Sequence, residues 1–189
     1  MGSFFSPEFL TEKNYKQDFI KNKHWIFGYP NTETPERIVK FQETISKMLH
    51  TAVVHKSIEY ENVNFVKNKE AEMVKLIKNC FLATKVGFFN EIYEFCTLSN
   101  VNFDEARRLA CEDERIGQSH SSVPGHDGKY GFGGTCFPKD MNNLHYEMKK
   151  LGMQSHIVKA AIHRNVHVDR KEQDWTMDEG RAVLKTKNK

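Results

Sequence analysis

The stretch Tyr130-Gly-Phe-Gly-Gly-Thr-Cys-Phe-Pro-Lys-Asp140 runs three glycines almost directly into a cysteine. Glycine is used where the backbone takes a positive φ or passes close to a ligand. Pro138 suits the first turn of a helix, where its missing N–H is no loss. The stretch therefore predicts that Cys136 stands at the N-terminus of a helix, directly after a loop that accepts anions.

Two interpretations of Cys136 follow from this placement. The positive end of the helix dipole and the neighbouring Lys139 would both favour a thiolate, which makes the residue a candidate nucleophile. The alternative is a buried, unreactive cysteine beside a glycine turn. The local pattern leaves both interpretations open.

Composition limits the classes of protein that the chain can belong to. Its 189 residues, 39% hydrophobic and 28% charged, suit one large globular domain or two small ones. No apolar run approaches the ~20 residues that span a membrane, and the N-terminus lacks the features of a signal peptide. We expect a cytoplasmic protein that does not cross a membrane.

Charge and metal-ligand patterns indicate a small anionic ligand rather than a polymer or a metal. The net charge is only +3 and the lysines are dispersed, whereas nucleic-acid binding needs a clustered basic face. The nine histidines show no zinc-ligand spacing, so no metal is expected. Cys80, Cys96 and Cys111 lie in apolar helical patterns. We expect them to be small core residues that form no disulfides.

The first 66 residues indicate α/β structure. Trp25–Phe27, 51–55 and 63–66 read as short strands, and a helix capped by Thr34 runs to about residue 50. No Gly-x-Gly-x-x-Gly is present, so a nucleotide-binding sheet here would be largely missing. Glu8 and Glu12 would share a face if their segment is helical, either as a solvated pair or as a base and a water holder.

The segment from residue 69 to 100 predicts one long amphipathic helix with more than one apolar face. Such a helix commonly packs on a partner, so we expect a homodimer through it. Lys75 and Asn79, four residues apart, project the same way, either as a site pair or as an exposed polar pair.

The rest of the chain reads as helices around a long loop. Helices are predicted at 102–115, 139–151 and 154–169, and the glycine-rich loop 117–134 is long enough to be functional. The sequence thus predicts an α+β fold, mostly α. Its divisions are an α/β part (1–66), a helical domain (67–169) and a loosely held polar tail (170–189).

Four motifs in order resemble the UDP-glucose/GDP-mannose dehydrogenases, and within them the enzymes that oxidise UDP-glucose. The glycine–cysteine stretch resembles the family's catalytic-cysteine motif. The other three are Phe5-Ser6-Pro7-Glu8-Phe9-Leu10-Thr11-Glu12, the start of the long helix from Glu70 to Asn79 continued by Phe89-Asn90-Glu91, and Arg115-Ile116-Gly117. Together they cover roughly residues 4 to 168. The resemblance implies that residues 1–66 are the C-terminal part of an NAD-binding domain and that 67–169 are the catalytic and dimerisation domain.

The resemblance implies NAD-dependent, four-electron oxidation of a nucleotide sugar, UDP-glucose to UDP-glucuronate. By resemblance Cys136 would form the thiohemiacetal and thioester, and Lys75 would stabilise the oxyanion. Asn79 and Asp140 would position water and carry protons. The base for hydrolysis would be Glu8 or Glu12.

The resemblance also implies the residues that hold substrate and cofactor. Substrate-binding residues would be Phe9, Leu10, Arg115, Tyr130, Phe132 and Gly133. Arg115 would reach the substrate of a neighbouring subunit, and Lys139 would lie at the cofactor.

Two functional classes follow, because the dinucleotide glycine loop is absent from the sequence. The chain is a catalytic piece that works with a separate NAD-binding chain, or a non-catalytic partner that keeps the dimerisation core. UDP-glucose, a UDP-N-acetylhexosamine and GDP-mannose all remain open as substrates.

Overall fold

A computed structural model describes residues 3–10 and 14–177 of the chain. The chain forms two compact units, Met1–Lys75 and Leu76–Lys189. Among the described residues, no helix is both long enough and apolar enough to cross a membrane.

The first unit is built on a strand–helix–strand arrangement. Helix α1 (Tyr15–Ile20) precedes strand β1 (Trp25–Tyr29), helix α2 (Pro35–Val54) and strand β2 (Val63–Lys67). The two strands pair in parallel, as a helical crossover allows. Thr34 caps α2 by accepting a hydrogen bond from the N–H of Arg37, and Pro35 opens the helix.

An aromatic cluster fills the space between the strands and α2. Phe27 and Phe65 face each other across the strand pair, and both rings lie near Phe41 of α2. Phe4 stacks on Phe41 with ring centroids 3.9 Å apart. Gly28 must be glycine, because a Cβ there would come within 2.7 Å of Asn68 Oδ1.

The second unit is helical. Helix α3 (Asn68–Leu98) enters it at residue 76 and is followed by α4 (Phe103–Ala110), α5 (Cys136–Lys150) and α6 (His156–Arg164). A π-helical turn (Asn165–Asp169) continues α6, and a short 3-10 helix (Asp174–Thr176) comes next.

Two small cores hold the second unit together. One is formed by buried side chains of α3, α5, α6 and the loop just before α5, namely Cys80, Ala83, Phe132, Met141 and Ala161. The other joins the C-terminal half of α3 to α4 and the following loop, through Phe89, Cys96, Phe103, Cys111 and Val123. The predicted core role of the three apolar-patterned cysteines is confirmed.

The predicted fold class, α+β and mostly α, is confirmed. The strand predicted at 51–55 is wrong, because these residues form the last turn and end of α2, where Thr51 donates its hydroxyl proton to the carbonyl of Lys47. The helix predicted to Arg115 ends at Ala110, although Asn102 caps it as expected. Helix α1 was not predicted. The domain limits stay a prediction.

The expectation of a loosely held segment after residue 169 is wrong for residues 170–177. Arg170 is buried, and its guanidinium pairs with Asp127 and Asp174. Charged residues alone suggest a solvated segment, but a paired charge can be buried. Residues 178–189 lie outside the described ranges.

Candidate functional site

Cys136 is the first residue of α5 and its side chain is exposed. The placement predicted from the glycines and Pro138 is therefore confirmed. Thr135 Oγ1 lies 3.9 Å from the sulfur. The first N–H groups of a helix have no partner within the helix, and together they favour negative charge at this end.

The glycine loop before the cysteine, residues 131–133, is held by two buried amide side chains. Asn90 of α3 accepts a hydrogen bond from the N–H of Gly131 at 3.0 Å. Asn165 accepts from the N–H of Phe132 at 2.8 Å and donates to its carbonyl at 2.9 Å. Phe132 itself is buried in the core. The backbone that leads to Cys136 is therefore fixed on both its donor and acceptor sides.

Three glycines of this stretch are required for two different reasons. A Cβ on Gly133 would collide with the guanidinium of Arg170. Gly134 has open space around it but takes φ +69°, which disfavours other residues. Gly131 combines both, with φ +66° and the side chain of Asn165 in the space a Cβ would need.

Asp140 follows Cys136 by about one turn of α5 and its side chain is only 7% exposed. Its Oδ2 accepts a hydrogen bond from Asn79 Nδ2 at 2.6 Å. Lys139 Nζ lies 3.5 Å from the other oxygen, while most of the lysine side chain is exposed. Burial, followed by the charge of Asp140, raises the pKa of the neighbouring Cys80 to about 11.

Arg115 lies on an exposed turn after α4. Its Nε donates to Asp113 at 2.9 Å, and this bond lowers the pKa of that carboxyl. Lys85 of α3 donates to the carbonyls of Ile116 and Gly117 at 2.7 and 2.9 Å. The turn is thus anchored while its arginine reaches outward.

Tyr130 borders a cavity of about 280 Å³ in the second unit. Its ring centroid lies 5.7 Å from that of Tyr93, and a hydrogen bond with Tyr93 raises the pKa of Tyr130. A smaller cavity of about 160 Å³ lies beside the start of α5, with Lys139, Asn142 and Trp175 among its lining residues.

The first unit holds the remaining candidates in an extended segment and on α3. Phe5 forms a backbone bridge to Gly28, and Ser6 Oγ donates to the carbonyl of Ile26. Residues 6–10 are not helical, so the helix considered for Glu8 and Glu12 does not form there, and Glu12 lies outside the described ranges. Glu8 and Leu10 are exposed, whereas Phe9 and Lys75 are half-buried.

Within the second unit the structure brings together Cys136, the glycine loop and the hydrogen-bonded pair of Asn79 and Asp140. Sequence reasoning missed four side chains that hold this region: Lys85, Asn90, Asn165 and Arg170. Two of these, Asn90 and Asn165, are polar residues within apolar helical stripes, and that signal could have marked them as hydrogen-bonded core residues. Within residues 3–10 and 14–177, no three His, Cys, Asp or Glu side chains are grouped to hold a metal ion.

Comparison with known proteins gives consistent matches. The model of the UDP-glucose/GDP-mannose dehydrogenase family, central domain, matches residues 69–167. UDP-glucose 6-dehydrogenase of Pseudomonas aeruginosa is 33% identical over 160 residues, which are 85% of this chain and 32% of that protein. The UDP-glucose 6-dehydrogenase of Bacillus subtilis is 28% identical over 160 residues, 85% of this chain and 31% of that protein.

A solved structure supports the same relationship. The UDP-glucose dehydrogenase of the hyperthermophilic archaeon Pyrobaculum islandicum matches with a TM-score of 0.66 and 30% identity, over 84% of this chain and 32% of that one. The chain spans about a third of the length of these relatives. Since the family model covers more than half of the chain, this chain belongs to the UDP-glucose/GDP-mannose dehydrogenase family.

Proposed function

We propose that this chain performs the thiol chemistry of a nucleotide-sugar dehydrogenase, with Cys136 as the nucleophile and UDP-glucose as the substrate. The observation that carries the proposal is the exposed Cys136 at the start of α5, on a loop fixed by buried amides. The relatives' names supply the substrate.

The proposed reaction oxidises C6 of the sugar in two stages, each of which gives up one hydride to the acceptor. In the first stage the C6 alcohol loses a hydride and its hydroxyl proton and becomes the aldehyde. Cys136 takes part in the second stage. Its sulfur adds to the aldehyde carbon at C6 of the sugar, and the oxygen takes up a proton, which gives a thiohemiacetal. Loss of a hydride from that adduct gives a thioester. Water then attacks the thioester carbon, which releases the carboxylate and restores the thiol.

Charged and polar neighbours would stabilise these steps. The N-terminus of α5 favours negative charge on the sulfur and on the nearby oxygen. We assign the positioning of water and the carriage of protons to Asp140 and Asn79, which are joined by a hydrogen bond. We assign oxyanion stabilisation to Lys75, and hydrolytic base function to Glu8 or Glu12.

NAD is the hydride acceptor that family resemblance supports, but the described residues do not fit a dinucleotide. The turn from β1 to α2 runs from Pro30 to Thr34 without a glycine. The first strand–helix turn of a dinucleotide fold is glycine-rich, because the pyrophosphate approaches the backbone closely. We propose that NAD is held mainly outside the described residues, as by the separate NAD-binding chain that the sequence suggests, with Lys139 at its edge.

A homodimer through α3 is the second part of the proposal. The part of α3 that lies in the second unit carries a row of apolar side chains at helical spacing. Each is more than half exposed: Ile77, Phe81, Phe88 and Phe95. An apolar row of this kind marks an interaction surface. The same row favours the alternative function, a non-catalytic partner that pairs with a full-length relative.

Sedimentation of the full chain tests the dimer. We expect a dimer at micromolar concentration and a shift to monomer in Phe88→Glu. The matched control is Tyr146→Glu, an exposed aromatic residue on α5. A monomeric parent chain would contradict the α3 interface.

The chemistry is tested by protection of Cys136. The full chain is alkylated with iodoacetamide in the presence of UDP-glucose or its C6 aldehyde, and each cysteine is followed by peptide mass spectrometry. We expect the aldehyde to protect Cys136 at concentrations where UDP-glucose does not. Equal alkylation with and without the aldehyde would contradict nucleophilic capture and favour the non-catalytic partner.

Turnover is tested with UDP-glucose, NAD and a separately produced NAD-binding domain from a relative. NADH formation should require Cys136 and disappear in Cys136→Ala. The control Cys111→Ala removes a buried thiol and should remain active.

A further inference from the structure

The π-helical turn at the end of α6 places two buried side chains on the same part of the glycine loop. In an α-helix, residues five apart point about 140° away from each other. Here the N–H of Arg170 donates to the carbonyl of Asn165 at 2.8 Å, the i to i+5 bond of a π-helix. Asn165 therefore reaches Phe132 while Arg170 lies against Gly133.

Arg170 links its own segment, through Asp174, to the earlier loop that holds Asp127 and Gly133. Its Nε and one terminal nitrogen donate to the two oxygens of Asp174 at 2.7 and 2.8 Å. The guanidinium also lies 2.7 Å from Asp127, on the loop that leads to the glycines. Because the same group fills the space beside Gly133, the loop cannot shift towards it without a steric clash.

The buried charge of Arg170 is fully compensated. Hydrogen bonds from Arg170, above all, hold the pKa of Asp174 well below its usual range. Burial alone would raise the pKa of Asp127, but its bonds to Arg170 and to the N–H of Lys129 outweigh this and lower it. Lys129 adds a second cation, 2.6 Å from Asp174. Both carboxylates therefore stay ionised around the guanidinium at neutral pH.

We propose that Arg170 is a positioning residue that locks the glycine loop in place at Gly133 and so sets the reactivity of the Cys136 thiol. This rests on the proposed function of Cys136. Arg170 and its partner Asp174 lie beyond residues 69–167, which the family model matches.

The test compares Cys136 alkylation by iodoacetamide in the parent chain and in Arg170→Ala, at pH 7 and pH 10. We expect the rate at pH 7 to fall about two- to fivefold, the range of a weakened helix-dipole effect. At pH 10, where an ordinary thiol is largely ionised, the rates should agree. The control Arg108→Ala removes an arginine that pairs with Glu112 on the surface, and should change neither rate.

Chemical rescue separates positioning from general destabilisation. Guanidinium chloride at millimolar concentration should restore the pH 7 rate in Arg170→Ala, while urea of the same shape and no charge should not. Amide exchange of Phe132 should rise in the variant and fall again with guanidinium, with α4 unchanged. Unchanged alkylation and exchange, or equal effects of the two additives, would overturn the proposal.

A second variant covers failure of Arg170→Ala to fold. Arg170→Lys keeps the charge but cannot form the two-pronged bond to Asp174, so an intermediate loss of rate at pH 7 is expected. A parent-like rate would overturn the lock. Alkylation needs neither substrate nor hydride acceptor, so these results stand whether or not the proposed turnover occurs.

Discussion

The glycine loop (131–133) of the second unit and the extended segment 5–10 of the first unit both carry predicted site residues, and they are held in different ways. Every residue of the loop meets a buried polar side chain: Asn90 at Gly131, Asn165 at Phe132 and Arg170 at Gly133. Segment 5–10 is anchored at its start by the bridge between Phe5 and Gly28 and by Ser6, and it then exposes Glu8 and Leu10.

The difference shows that a reactive group and a solvent-facing group need different degrees of backbone constraint. A thiol that must meet one carbon atom depends on backbone fixed to a fraction of an ångström. An exposed carboxylate acts through water, which tolerates a less constrained backbone. Substitutions in the loop should therefore alter stability and reactivity together. Substitutions in segment 5–10 should alter reactivity with little change in stability.

The largest effect is expected for Asn165→Ala. The change removes both bonds to Phe132 and leaves its buried N–H and carbonyl without partners, so the free energy of unfolding should fall by about 2–4 kcal/mol. Urea denaturation followed by circular dichroism measures it. Asn142→Ala, which removes one exposed amide bonded within α5, should change the same quantity by less than about 0.5 kcal/mol.

The next largest effect is expected for Gly133→Ala, which tests whether Arg170 is the reason that position 133 needs a glycine. Gly133→Ala should destabilise the parent chain by about 1–3 kcal/mol, because the new methyl group overlaps the guanidinium. In the Arg170→Ala background most of that cost should disappear, so the two changes should not be additive.

Gly28→Ala is the matched control for this cycle. Its Cβ would also clash, but with Asn68 in the first unit. Its cost should therefore be the same with and without Arg170. Additivity of Gly133→Ala with Arg170→Ala would show that the loop, not the arginine, imposes the glycine.

Acid should release the segment that carries Arg170 before the rest of the second unit unfolds. The pKa values of Asp127 and Asp174 are lowered in the folded chain. Their contribution is complete above about pH 4, the ordinary aspartate value, and is lost as pH falls below it. The effect should stay below about 1 kcal/mol, because Asp174 is partly solvated.

Trp175 reports this release directly, since it belongs to the 3-10 helix beside Asp174. In Trp25→Phe it is the remaining tryptophan of the chain. Its fluorescence should change below pH 4 in this variant. The change should be absent when Asp127 and Asp174 are also replaced by asparagine, and its persistence would contradict the ionic lock.

The sequence predicted the features that follow from local pattern. Glycines, Pro138 and apolar spacing placed Cys136 at a helix start, and caps at Thr34 and Asn102 marked true helix beginnings. These signals depend on neighbouring residues only, so they survive in any tertiary context. The NAD-related role of Lys139 and the roles of the other site residues remain predictions.

The predictions that were wrong concern features that depend on contacts between distant residues. Residues 51–55 are β-prone by composition, yet they continue α2, since helix propagation and tertiary packing override propensity. Arg170 looked like part of a solvated tail, because its partner Asp127 lies more than forty residues earlier. A turn that changes from α to π geometry has no local sequence signature that would have announced it.

The smallest effect on stability is expected for Glu8→Gln. Its side chain is exposed in the extended segment, so the free energy of unfolding should change by less than about 0.5 kcal/mol. Its proposed role in hydrolysis can then be measured without a folding defect. If Glu8 activates water, a complex that turns over should accumulate the thioester on Cys136, seen as a hydroxylamine-sensitive mass increase. A variant that loses several kcal/mol of stability would show that segment 5–10 is held as firmly as the glycine loop.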